Sequence, residues 1–534
     1  MKRFGNLQVG LSLIAATAIM TGIVVGAPSA NALTYPSSLC DKFCDARDPA
    51  QAAGNRVGPT SVFDGRRLAL HFDDADNMAW ASIDGGTPGD QAWLDRSFDG
   101  GYDWSPYGSK LGQTTIPSGN TGWRTLLYNL DQWSSTSPLE GVVRACGQTG
   151  STISCTAWAR TTWNAADNQR AAATALMETY DLDTKLFDHN TVGSTGYGWW
   201  NSANDLTALI DSIRVTGMGS YQPAIGWTYA ANKPAGVAGD ANGDFKNNFI
   251  DDTGWWAMAW IDAYDLTRDS AYLTTAEDDA NYMNSYWDST CGGGVWWSTA
   301  KTYKNAIANE LYLYVNAALH NRIAGDTTYL NRAEAEQKWF ASSGGMINSS
   351  DLINDGLMIQ SDGTCVNNGG YTWTYNQGVI LEGLTELYKA TQSNSYLSEA
   401  TALADASTGS SQLNPVSATA PEGELADPAS DVTSGDAPTF KGAYIRGLTD
   451  LNNATGLYGC YLARQSAVAY LNDRNPADQY GYSWAGPWSS TPQSGPDQPT
   501  SAQQGSALFL ANAGPAITSP SDPAVTTALN CTGS

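Results

Sequence analysis

Histidine is almost missing from this chain. His71, His189 and His320 are the only three in 534 residues, too few and too scattered to suggest a Ser-His-Asp triad or a histidine-rich zinc site. Acid–base chemistry must then come from carboxylates. Charge is scarce as well, at 15% of residues, and basic charge most of all: 28 Lys and Arg stand against 53 Asp and Glu, a net charge of −25. Such a field repels phosphate backbones and anionic lipid, so nucleic acid and membrane surfaces are poor partners and a neutral substrate fits better. Beyond the first 32 residues no apolar run is long enough to span a bilayer. Metal-binding patterns are also wanting. Asp240-Ala-Asn-Gly-Asp244 has the spacing of the first calcium-loop ligands, with Asp251 at position 12. Phe245, however, replaces the turn glycine and Asp is not the bidentate Glu, so neither metal nor cofactor is expected.

What is abundant is aromatic and apolar: 20 Trp, 26 Tyr and 11 Phe, with 42% hydrophobic residues and 54 Gly, ample for a large core. The first 32 residues carry Lys2 and Arg3, an apolar run over 9–25, and Ala30-Asn31-Ala32. This is the pattern of a signal peptide cut after Ala32, and it predicts a secreted, extracellular protein with no membrane attachment after cleavage. All eight cysteines lie beyond it, an even number suited to an oxidising compartment. The pairs expected are Cys40–Cys44, Cys146–Cys155, Cys291–Cys365 and Cys460–Cys531. Cys146–Cys155 has the clearest reason, since Val142-Val-Arg-Ala-Cys146 and Thr152-Ile-Ser-Cys155 flank a Gly-Gln-Thr-Gly hairpin signal.

Residues 33–160 alternate short apolar runs with Gly, Asp and Pro clusters, which reads as a small all-β accessory domain. Asp73, Asp74 and Asp76, with the 93–101 stretch, form a candidate ligand face there. From 161 to 534 the period becomes helical. Helices are expected near 165–180, 204–214, 253–267, 271–287, 306–323, 328–340, 377–389, 395–404, 440–451, 458–471 and 502–511. A Tyr-Leu-x-x-Ala start recurs at Tyr272, Tyr329 and Tyr396, so helix pairs repeat. Because the loops between them are long, Trp-rich and unequal, a closed α/α toroid suits them better than an open solenoid of uniform repeats. Residues 407–438, rich in Ser, Ala, Pro and Gly, read as an insertion loop within this domain.

Phe249-Ile-Asp-Asp252 precedes the helix with Trp255, Trp256, Trp260 and Tyr264. Two neighbouring carboxylates among aromatics suit glycoside hydrolysis, in which one protonates the leaving oxygen and the other attacks or activates water. A helix cap explains only one of the two. Successive residues on a helix diverge by about 100°, so Asp251 is expected outside the regular helix, before its N-cap, and its charge is expected to raise the pKa of Asp252. Paired aromatics recur in other loops at Tyr197-Gly-Trp-Trp200, Val295-Trp-Trp297 with Tyr303, and Tyr371-Thr-Trp-Thr-Tyr375. They suggest a cleft for a neutral polysaccharide.

The segment from Phe249 to Thr267 resembles the signature of glycoside hydrolase family 76, the endo-α-1,6-mannanases. Gly198-Trp-Trp-Asn-Ser-Ala-Asn204, Gly293-Gly-Val-Trp-Trp297 with the run from Tyr303 to Glu310, Thr374-Tyr-Asn-Gln-Gly378, and Phe440-Lys-Gly442 with Arg446 also resemble that family, over about residues 164–514. The resemblance implies an (α/α)6 barrel and a retaining cut within α-1,6-mannan, with Asp251 as nucleophile and Asp252 as acid/base. It implies substrate contacts from Trp199, Trp200, Asn201, Trp255, Trp256, Trp296, Trp297, Tyr303, Asp355, Tyr375, Asn376 and Gln377. A monomer is expected. A cell-wall transglycosidase using the same residues and a non-catalytic mannan-binding protein are the alternatives.

Overall fold

The computed structural model describes residues 45–97, 104, 108–130, 141–162, 167–177, 179–181, 184–187, 198–217, 219, 221–236, 242–342, 345–428, 436–474, 478–486 and 500–531. The signal segment and the Cys40–Cys44 pair lie outside the described residues.

The N-terminal part is a sandwich of two antiparallel sheets. One holds β1 (Arg56–Phe63), β2 (Arg66–Asp73), β3 (Met78–Asp84) and β6 (Gly122–Arg124), with β7 (Tyr128–Asn129) also on β3; the other runs β5 (Leu111–Thr115), β4 (Gln91–Ser97), β8 (Val142–Thr149) and β9 (Thr152–Cys155). Period-two alternation sends Leu70 and Phe72 of β2, Ala79 and Ala81 of β3, and Val143 and Ala145 of β8 into one shared core. The β8–β9 register sets Cys146 opposite Cys155, and the two are disulfide-bonded, as the hairpin signal predicts.

The acidic cluster is not a ligand face. Asp73 and Asp76 are fully buried around Arg47, whose guanidinium stands 2.5 Å from Asp76. Asp76 also accepts the Gly219 N–H at 2.9 Å, and Asp74 accepts that of Thr162 at 2.8 Å. Asp76 thus ties the sandwich to the helical part, and its burial is tolerated because it is paired with Arg47 and the Gly219 N–H.

Among the described residues, twelve helices then form six pairs. The inner ring is α2 (Trp199–Thr216), α4 (Ile250–Thr267), α6 (Ala306–Arg322), α8 (Thr374–Thr391), α10 (Ala437–Thr455) and α12 (Ser501–Ala513). Each packs on the next, and α12 closes the circle on α2. Outside lie α1 (Asn168–Met177), α3 (Pro223–Asn232), α5 (Ser270–Asn284), α7 (Thr328–Ser342), α9 (Asn394–Gly409) and α11 (Gly459–Asn472), with a short α13 (Pro523–Leu529) against α11. The expected (α/α)6 barrel behind a β region is therefore the fold. The Tyr-Leu-x-x-Ala repeat falls at the starts of the outer helices α5, α7 and α9, where Ala276, Ala333 and Ala400 are fully buried.

The inner helices approach closely. A Cβ on Gly447 of α10 would stand 2.0 Å from the carbonyl oxygen of Gly378 of α8, so only hydrogen fits there. Cys291–Cys365 ties two loops at one end of the barrel, and Cys460–Cys531 ties the C-terminal tail to α11. Two helices escaped the sequence reading, α3 and α13. The insertion is also shorter than expected, because α9 runs to Gly409 and α10 starts at Ala437. Its described part is pinned down: Leu413 and Leu425 are buried, and Asp427 accepts the Thr374 N–H at 2.8 Å.

Candidate active site

All six inner helices begin at the same end of the barrel, and the two consecutive aspartates sit there on α4. The N-cap is Phe249, extended at φ −103° and ψ 124° with no side-chain cap, so the helix start is set from outside. Ile250 N–H donates to Trp297 O at 2.7 Å, and Phe249 bridges Ser298. Asp251 and Asp252 are thus the second and third helical residues, and Asp251 does not precede the cap as expected. The 100° divergence is real, but first-turn side chains have no earlier turn beside them, and each carboxylate finds its own donor. Trp297 Nε1 donates to Asp251 Oδ2 at 3.0 Å, and Asn247 Nδ2 donates to Asp252 Oδ2 at 2.6 Å. Asp251 Oδ1 also accepts the Asp252 N–H at 3.2 Å.

Burial pushes Asp251 well above the usual carboxylate range, and the neighbouring charge of Asp252 pushes the same way, against the Trp297 and backbone donors. Burial raises Asp252 to about 7; the Asn247 amide opposes this and Asp436 adds to it. The rise at Asp252 is therefore chiefly desolvation, where the sequence reading expected the charge of Asp251. The two groups titrate as a coupled pair, both raised above the ordinary carboxylate range. Asp251 accepts from an indole and from a backbone amide, Asp252 from one side-chain amide, so the ionised member favoured by donors is Asp251.

A small sheet lies beside them: β10 (Lys304–Asn305), β11 (Gly356–Ile359) and β12 (Cys365–Asn367). Tyr303, just before β10, donates its hydroxyl to Asp355, just before β11, and accepts from Asn368 Nδ2 at 2.7 Å. A side chain at Gly356 would collide with that hydroxyl, at 2.4 Å. Burial raises the Asp355 carboxyl, against the Tyr303 and Asn368 donors.

Aromatic rings complete the rim. Trp200 stacks on Trp255 at 5.6 Å and donates Nε1 to Asp436 at 2.9 Å; Tyr375 stacks on Phe440 at 4.0 Å, with Trp373 tilted against the same ring at 5.3 Å. Burial, and the charges of Asp355, Asp251, Glu310 and Asp436, raise the Tyr375 hydroxyl well above its ordinary range.

Several expected substrate contacts are scaffolding instead. Trp256 is fully buried and Trp199 nearly so, packed with Phe245 and Trp260 in an aromatic core. Trp296 is buried with its indole N–H on Asp288 at 2.7 Å and the Lys304 ammonium over its ring. Asn201 is buried and donates to Thr439 at 2.6 Å, Gln377 holds both the N–H and carbonyl of Ile353, and Asn376 is wholly interior. Trp255 is buried behind Trp200. Those left facing the aspartates or their rim are Trp200, Trp297, Tyr303, Asp355 and Tyr375. The sequence reading missed Asn247 and Asp436, while Trp373 lies in the aromatic cluster it assigned to the cleft. Asp436, the N-cap residue of α10, was hidden inside the supposed insertion, although an Asp two residues before Pro438 is a helix-start signal.

Residues 164–519 match glycosyl hydrolase family 76. The chain belongs to this family. Within it, two mannan endo-1,6-alpha-mannosidases of Saccharomyces cerevisiae are 27% identical over 238 residues (41% of this chain, 51% of theirs) and 30% identical over 224 residues (38% and 48%). The chain thus spans about half the length of the curated relatives it matches. The barrel also resembles the family 76 alpha-1,6-mannanase of Salegentibacter sp. HEL1_6, with a TM-score of 0.55 and 23% identity over 65% of this chain and 97% of that one. At that identity the likeness speaks for the fold. No helix among the described residues is long and apolar enough to cross a membrane.

Proposed function

We propose that this family 76 member is a secreted retaining hydrolase that cuts α-1,6-mannosidic linkages within mannan, with Asp251 as nucleophile and Asp252 as acid/base. The observation that carries it is the pair itself: adjacent half-buried carboxylates, each with its own donor and each raised above the ordinary carboxylate range, at the rim of an aromatic-lined site. The names of the Saccharomyces relatives support the linkage. An inactive variant of the Salegentibacter mannanase carries replacements of two consecutive aspartates and was obtained in complex with an α-1,6-linked mannose tetramer, which supports the same pair. The signal pattern of the first 32 residues supports secretion.

The chemistry follows from the two environments. Asp252 gives its proton to the glycosidic oxygen while the ionised Asp251 attacks the anomeric carbon, forming a glycosyl ester and freeing the leaving sugar. Asp252, now a carboxylate, takes a proton from water as that water attacks the same carbon and releases Asp251. Trp200 offers a face for a sugar ring, and Asp355, held by Tyr303, accepts from sugar hydroxyls. Following linear α-1,6-mannan by NMR from the first turnovers tests this. Oligosaccharides released first as the α-anomer are expected; release as the β-anomer, or no cleavage, would refute it.

A further inference from the structure

The aspartate pair has a direction, set by the turn of α4. Gly254 lies on the side of that helix that meets α6, because a Cβ there would stand 2.9 Å from the Cβ of Leu311. Successive residues turn by about 100°, so Asp251 points about 60° from that side and Asp252 about 160° from it. Asp251 therefore leans toward α6, and Asp252 leans toward α2 on the other flank of α4. Their neighbours divide in the same way. Asp251 is held by Trp297, whose backbone N–H donates to Tyr303 O at 2.8 Å, and Tyr303 in turn holds Asp355. Asp436, whose charge adds to the rise at Asp252, accepts the indole N–H of Trp200 on α2. Asp355 thus stands on the nucleophile's side and Trp200 on the acid's.

Tyr371 continues the first of these sides. It follows Gly370, where a Cβ would stand 3.0 Å from the Cβ of Asp355. Its base is fixed on both flanks: Gly370 N–H donates to Asn368 Oδ1 at 2.7 Å, Asn354 donates to the Gly370 carbonyl, and Asn368 N–H donates to Gly356 O at 3.0 Å. The ring leans on Trp373 at 4.9 Å, and Trp373 rests on Phe440 at 5.3 Å. Even so, Tyr371 is 54% exposed. An exposed ring on a rigid base can take a sugar face with little further loss of conformational freedom.

We propose that the polysaccharide lies across the mouth in one direction, its retained sugars over Asp355 and Tyr371 and its leaving sugars over Trp200, and that Tyr371 sets a preference for a long retained chain. The anomeric carbon must meet Asp251 and the departing oxygen must meet Asp252, so the two arms of the substrate separate as the two carboxylates do. Asp355 takes hydroxyls of the sugar at Asp251, and Tyr371, next along the same side, stacks on a ring nearer the non-reducing end. The direction rests on the retaining reading proposed above; the Tyr371 platform does not.

Activated aryl α-1,6-mannooligosaccharides test this, because the aryl group takes the leaving side and every sugar falls on the retained side. The quantity read is kcat/KM on the aryl trisaccharide divided by kcat/KM on the aryl monosaccharide, in which the fraction of active protein cancels. In Tyr371→Ala this ratio should fall roughly three- to tenfold, mostly through KM, as one lost ring stack implies. Tyr371→Phe keeps the ring and should keep the ratio. Trp200→Ala should leave the ratio in place and lower kcat/KM on mannotetraose, whose leaving side is a sugar. An unchanged ratio in Tyr371→Ala would overturn the platform, and a fall in Trp200→Ala in its stead would overturn the direction. If the unsubstituted protein cleaves no aryl substrate, the hydrolase reading fails by itself. Calorimetry with α-1,6-mannotriose then reads the platform: Tyr371→Ala should bind it more weakly by the same factor, and equal binding, or none by the unsubstituted protein, would overturn the proposal.

Discussion

Trp297→Phe isolates the hydrogen bond on which the division of labour between the aspartates depends. The indole N–H lies 3.0 Å from Asp251 Oδ2 and opposes the upward pKa shift that burial and Asp252 impose on Asp251. Phenylalanine keeps a ring near Phe249 and Tyr303, which flank Trp297 at 5.0 and 6.1 Å, and removes only the donor. A hydrogen bond to a charged group contributes roughly 1.5–3 kcal/mol, and one pKa unit corresponds to about 1.4 kcal/mol. The variant's nucleophile should therefore ionise about 1–2 units higher. In a pH profile of kcat/KM on mannan, whose limbs belong to the pair as a whole, the acidic limb moves upward while the alkaline limb stays in place, because the lost donor acts on Asp251 and not on Asp252. The bell narrows from its acid side only. An acidic limb that stayed in place or moved down, in a variant with wild-type Tm, would refute the assignment of the charge to Asp251.

Three further outcomes follow from the same geometry. Asp252 has a folded pKa of about 7, above the ordinary value of 3.8, so its ionised form opposes folding, a penalty that grows as pH rises from about 4 and is complete above about 7. Asp252→Asn should thus raise Tm at pH 8, by up to roughly 4 kcal/mol less what solvent screens, with the gain vanishing near pH 4; a Tm at or below wild type at pH 8 would contradict this. Removing Cys291–Cys365, which closes a 74-residue separation, should cost roughly 4 kcal/mol in the chain-entropy limit and raise KM, because β12 leads directly to Asn368, the partner of Tyr303; thermal melts and kinetics of the double Cys→Ser variant check both. A chain beginning near Arg160 should still cut soluble mannan at a rate within a fewfold of the full chain, since no residue of the active site comes from the sandwich, and a folded but inactive truncation would move the sandwich into the site.

The helical architecture was legible because amphipathic period and the Tyr-Leu-x-x-Ala starts are local signals. α3 was missed because its first turn offers only Pro223 and no polar cap, and its aromatics serve a three-way cluster in which Tyr229 meets Trp260 and Tyr272. Eleven visible helices, one short of six pairs, already hinted at it. The aspartate pair could be read from sequence, but which aromatics face sugar could not. Trp199 and Trp200 are neighbours, and a helix sends one into the core and the other to the rim. The runs around Lys304 and Arg446 look chemical in sequence. They prove structural, since Lys304 ties down the 288–294 loop and Arg446 pairs with Glu382 at 2.6 Å. Asn247 carried no signal at all, because its role exists only once the loop before α4 folds back on Asp252.

The central claim is that Asp251 becomes covalently bonded to sugar. Intact-mass analysis of Asp252→Asn during turnover of an α-1,6-mannooligosaccharide with an activated aryl leaving group tests it most directly. That leaving group needs no proton, so the first step proceeds, and the second stalls without its base. A protein heavier by the whole mannooligosaccharyl group is expected, with peptide mapping placing it on Asp251, and no adduct in the Asp251→Asn variant. An adduct on another residue, or an Asp252→Asn protein that cuts mannan like wild type and stays unmodified, would contradict it.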